Sequence, residues 1–171
     1  SGVFFSLLGA LISFLLYIIF LQKNLTDAWT QLPDNTKLLN NWLMGGTLAV
    51  TGITTSFAAL TQMVQDRENQ VDQDLFLTDL GSWGLQVSYL ISSIIISFVM
   101  QVFMFAVMSL YFRESPVISY LPEITLIMLL SSLLSSVVNI LLIYRFQSVD
   151  SLGKLATIVG TASGFLVGTY I

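Results

Sequence analysis

The chain has 171 residues, 55% of them hydrophobic and only 9% charged, with a net charge of −4 and a mean hydropathy of +0.84. Chains that fold in water carry about 25% charged residues, so the deficit points to hydrocarbon as solvent, and the acidic balance supplies no basic surface for nucleic acid. The absence of Cys and His excludes disulfides, thiolate nucleophiles, His–metal sites and His-based acid–base chemistry.

Five apolar runs fill the sequence: Val3–Leu21, Trp42–Met63, Leu85–Phe112, Ile124–Tyr144 and Leu155–Ile171. A bilayer core roughly 30 Å thick is crossed by about 20 apolar residues at 1.5 Å each. The helices of a water-soluble domain keep a polar stripe that these runs lack. The expected fold class is an all-α integral membrane protein, a polytopic bundle forming one transmembrane domain over residues 1–171, in the cell (inner) membrane of a bacterium.

The first run follows no basic segment, precedes no small-x-small cleavage site and exceeds a signal-peptide core in length, so it reads as a span. Ser1-Gly2 reads as a cut edge, and the sequence stops within an apolar run at Thr169-Tyr170-Ile171. The expectation is a piece of a longer polypeptide. Span one ends at Gln22-Lys23-Asn24. The connection from Gln22 to Asn41 mixes Leu25, Trp29, Leu32 and Leu38 with polar residues and holds the turn signal Pro33-Asp34-Asn35, an interfacial excursion anchored by Trp29 and Trp42. Asn24-Leu25-Thr26 matches a glycosylation sequon short enough to arise by chance.

Span two carries Gly45, Ala49, Gly52, Ser56 and Ala59 on one helical face. Small residues let helix backbones approach closely where no hydrophobic force acts between helices. Gln65–Gly84 follows as the polar centre of the chain, with Asp66, Arg67, Glu68, Asp72, Asp74 and Asp79. Clustered acids hold Mg²⁺ and pyrophosphate in some membrane enzymes. The spacing here is not DDxxD and no second cluster completes such a site, so an amphipathic helix on the membrane surface is the favoured reading.

Span three presents Ser88, Ser92, Ser93, Ser97 and Gln101, and a loop with Pro116 and Pro122 follows it. Span four holds Ser131, Ser132, Ser135, Ser136 and Asn139. Span five contains Gly160, Gly164 and Gly168 at i, i+4 steps, a packing ladder. None of the spans has a charge near its centre, which counts against proton relays and ion-coupled sites. Gln101 and Asn139 are the interior amides: helix bridges first, and candidate substrate contacts second. Loops one and three hold Lys23, Lys37 and Arg113, while loops two and four hold Arg67, Arg145 and Lys154, so loop charge leaves the orientation undecided.

Three stretches together carry a family likeness: Asn41-Trp42-Leu43-Met44-Gly45-Gly46, Val64-Gln65-Asp66-Arg67-Glu68-Asn69, and the run from Thr157 through Gly160, Gly164 and Gly168 to Tyr170-Ile171. The sequence resembles the permease subunits of ABC exporters of the ABC-2 type, in which an acidic–basic "DRE" follows the second span and a glycine-patterned motif lies in the fifth. The resemblance implies a six-span subunit that pairs with a second permease copy, homologous or identical. It implies ATP-binding subunits on the cytoplasmic side, which hold ATP and Mg²⁺; this chain has no GxxxxGK[ST] loop and is expected to bind no cofactor and to be no enzyme itself. Residues 64–82 become a cytoplasmic coupling helix, with Asp66, Arg67 and Glu68 at the ATPase contact. The exported substrate would be a drug, a peptide, a lipid or the like. The sequence departs from the family in lacking a Pro after the acidic stretch, an amphipathic helix ahead of span one and a sixth span. The competing expectation is a non-transporting membrane protein, an immunity or assembly factor that binds partners through its glycine and serine faces.

Overall fold

The computed structural model describes residues 2–16, 18–19, 35–71, 81–112 and 120–166. Among them are five α-helices and no strand: α1 (Gly2–Leu16), α2 (Asn35–Glu68), α3 (Gly81–Phe112), α4 (Leu121–Ile143) and α5 (Val149–Leu166). The all-α expectation holds for these residues. Among the described residues three helices are long and apolar enough to cross a membrane, over Lys37–Glu68, Trp83–Phe112 and Leu121–Ile143. α1 is described over 15 residues, about 22 Å of rise, and in α5 Asp150 and Lys154 dilute the hydropathy of an 18-residue helix.

Helix boundaries also differ from the sequence reading. α2 begins at Asn35, not Trp42, and runs on to Glu68, past Met63. Ending a helix near hydrocarbon leaves backbone groups unpaired, and no Pro interrupts this stretch, so the polar flanks stay helical. The start of the 64–82 segment is therefore a continuation of α2 and not a separate surface helix. It stops at Asn69-Gln70, where Gln70 takes a left-handed φ of 59°, the usual geometry just past a helix end. Residues 72–80, with Asp72, Asp74 and Asp79, lie outside the described residues, as do Trp29 and the sequon. α4 starts at Leu121, so Pro122 is not a loop residue but lies in the first turn, where its missing N–H has no helical partner to lose.

α2 is the hub: it packs against each of the other four helices, and α3 also packs on α4. Two apolar clusters hold the ends of the bundle. One gathers Phe14, Leu43, Met44, Met104, Met108 and Met128, and the other Phe57, Leu60, Met63, Val64, Ile143 and Leu152. Between them lies a buried polar belt of Thr51, Thr55, Ser56, Ser97, Gln101, Ser136 and Asn139. The outer surface is the reverse. On α4, Leu126, Ile127, Leu130, Leu133, Leu134, Val138 and Leu141 all face outward, Leu141 at 70% exposure. Water would not tolerate so continuous an apolar face on a single chain. A polar interior under an apolar exterior is the arrangement of a membrane-embedded protein.

Four threonines of α2 are satisfied locally. Thr51, Thr54, Thr55 and Thr61 each donate a hydroxyl to a carbonyl one turn back in α2, at 2.6 to 3.0 Å. Such back-bonding lets a hydroxyl sit in a low-dielectric interior without an external partner.

Candidate functional site at the end of α2

Asp66, Arg67 and Glu68 stand at the last turn of α2 and reach three different helices. Asp66 Oδ2 accepts a short hydrogen bond from the hydroxyl of Tyr89 on α3, and its Oδ1 accepts from Gln62 Nε2 at 2.7 Å. Arg67 Nη1 donates to the carbonyl of Tyr144, the residue that ends α4, at 3.1 Å. Its guanidinium also lies 5.3 Å from the centre of the Tyr144 ring, within cation–π range. Glu68 Oε2 accepts from the backbone N–H of Val149 at 2.9 Å. Val149 opens α5, so a carboxylate caps the positive end of that helix.

The physical meaning is a node. The ends of four helices meet here: the C-termini of α2 and α4, the N-terminal part of α3 and the start of α5. Each of three consecutive residues grips a different one. Consecutive helical positions point about 100° apart (3.6 residues per turn), which is why one tripeptide can face three neighbours. Sequence reasoning singled out the tripeptide but not its partners. Tyr144 was legible as the end of span four; Tyr89 and Val149 carried no signal without knowledge of how the helices lie. Among the described residues no group of three or more acids could hold a metal ion, and Asp66 and Glu68 diverge onto different helices.

The polar belt holds the second set of candidates. Gln101 donates through Nε2 to the carbonyl of Leu48 at 3.1 Å and to Ser131 Oγ at 3.3 Å. Ser97, one turn before it, donates to the carbonyl of Gly52 at 3.0 Å. Asn139 donates to the carbonyl of Ile53 at 2.9 Å and to Ser56 Oγ at 2.7 Å. So α3 and α4 both clasp the backbone of α2 at mid-length. Gly52 makes this possible: a Cβ there would collide with the carboxamide of Gln101 and come within 3.4 Å of Ser131 Oγ.

The other glycines behave differently. A Cβ added at Gly45 or Gly160 meets nothing within 4 Å, Gly164 is buried in α5, and Gly168 lies outside the described residues. Within this chain, close approach by a neighbour is seen at Gly52, while Gly45 and Gly160 border cavities.

No family model, curated protein or solved structure matches this chain. The functional reading therefore rests on the residues and their geometry.

Proposed function

We propose that this chain is the membrane-spanning permease subunit of an ATP-driven exporter of the ABC-2 type. It pairs with a second permease copy in a bacterial inner membrane and takes its energy from separate ATP-binding subunits, which carry ATP and Mg²⁺. The cargo would be a drug, a peptide, a lipid or a similar molecule. In this reading the DRE end of α2 and the residues up to about 82 face the cytoplasm as the coupling segment.

One observation supports it beyond the sequence resemblance: the tripeptide at the end of α2 grips α3, α4 and α5 together. A permease must turn a push at one place into movement of many helices. A force delivered at Asp66–Glu68 would reach all of them through short polar contacts rather than one at a time.

The experiment is affinity purification of the full-length protein from its native membrane. A P-loop ATPase should co-purify in stoichiometric amount, and Arg67→Glu should weaken its retention. Recovery of the protein without any ATPase, or with a toxin or soluble enzyme in its place, would remove the exporter reading and leave the immunity or assembly role.

A further inference from the structure

A cavity of about 420 Å³ lies between the N-terminal halves of α2 and α4, with α3 behind it. That size falls in the range of small-molecule sites. Leu48, Ile124 and Met128 give it an apolar wall, with Asn41 and Tyr120 toward one end. Gln101 and Ser131 form its polar end, deep in the bundle. Gly45 borders it with open space where a side chain would be.

The polar end is half-satisfied. Gln101 is 0% exposed, and its Oε1 has no hydrogen-bond partner. Its Nε2 is committed to Leu48 and Ser131. Ser131 accepts that bond, and among the described residues its own proton goes to no acceptor. An orphaned acceptor in a low-dielectric interior is costly and rare. A turn about the soft terminal torsion of Gln101, which gives up the long 3.3 Å contact of Nε2 with Ser131 Oγ, would bring that oxygen toward the cavity that Gln101 lines. Among the described residues no charged side chain lines the space, so an ion would lose its hydration there without a counter-charge from them.

We propose that this cavity binds an uncharged, largely apolar molecule bearing a hydroxyl group. The hydroxyl donates to Gln101 Oε1 and accepts from Ser131, and the apolar body lies along Leu48, Ile124 and Met128. The ligand arrives laterally from the lipid, since Ile127 and Tyr120 at the cavity's edge are exposed. The site rests on the cavity alone and stands or falls separately from the exporter reading.

The test uses the protein in lipid nanodiscs and a diazirine-bearing octanol as photoreactive probe. Its methyl ether, which cannot donate, is the control. The alcohol should label residues 41–49 and 120–131 saturably, and unlabelled octanol should compete. The ether should bind about tenfold more weakly, the effect of one lost hydrogen bond to a buried acceptor. Gly45→Leu grows into open space; it should abolish saturable labelling and leave the unfolding midpoint unchanged. Gln101→Met should erase the difference between alcohol and ether. Equal labelling by the two probes in the native protein would overturn the proposal. So would saturable labelling that survives Gly45→Leu, or labels spread over the outer helix faces in proportion to lipid contact.

Discussion

The carboxamide of Gln101 on α3 occupies the place where a side chain at position 52 of α2 would stand. The contact joins a residue that must be long and polar to one that must have no side chain. Gly52→Ala should therefore destabilise the bundle by roughly 1–3 kcal/mol, as overpacking does elsewhere. The double variant with Gln101→Ala should lose at least about 1 kcal/mol less than the sum of the single losses. Titration with SDS from mixed micelles measures both, and strict additivity would show that the two residues do not share this space.

Asn139 should behave as a bridge between helices. Asn139→Leu keeps the branched shape but removes the donors to Ile53 and Ser56. The loss should be about 1 kcal/mol, the scale of interhelical hydrogen bonds in membranes, with no change in helix content by circular dichroism. A loss below experimental error would mean that these contacts are replaced by water or lipid.

Glu68 should govern the start of α5. Glu68→Ala removes the acceptor for the Val149 N–H and should speed amide exchange over residues 149–152 by roughly fivefold, as expected for a lost cap. Glu68→Gln keeps an acceptor without the charge and should fall between Ala and the native residue. Equal exchange in all three would place the start of α5 under other control.

Transmission through the node is separable from docking. Tyr89→Phe removes the hydroxyl that Asp66 accepts but leaves every charge of the tripeptide. ATPase co-purification should persist while substrate-stimulated ATP hydrolysis falls several-fold. Parallel loss of both would make the Asp66–Tyr89 contact a requirement for folding rather than for coupling.

Orientation is directly accessible because the sequence has no native cysteine. In the exporter reading, single cysteines at Glu68 or Asp150 should react with a membrane-impermeant maleimide from the cytoplasmic side, and a cysteine at Glu123 from the opposite side. The reverse pattern would turn the DRE end away from any cytoplasmic ATPase.

Much of the bundle was legible in the sequence for a simple reason: polar residues were scarce enough to count. Ser93, Ser97 and Gln101 recur every four residues, and all three are buried in one stripe of α3. Ser132, Ser135, Ser136 and Asn139 mark the inward face of α4 in the same way. Neighbouring Ser88 and Ser92 broke the rule and are exposed, since a serine can satisfy itself against its own helix wherever it points. The helix ends were harder, because a helix in this solvent runs through polar flanks sooner than leave its backbone unpaired; hence Asn35 and Glu68 in place of Trp42 and Met63. The glycine pattern is ambiguous at its edges. Spacing identifies a face of small residues but not whether a neighbour or a cavity lies against it, which is why Gly52 and Gly45 look alike in sequence and differ in space.

The seat at Gly52 also keys the register of the whole assembly. A slip of α2 by one turn, about 5.4 Å, would confront Gln101 with Leu48 or Ser56, and neither leaves room for a carboxamide against the backbone. Sliding is thus blocked at the midpoint while the two ends stay held by adaptable methionine and leucine packing. Any working motion of this bundle must pivot about that point, with the largest excursions at its rims.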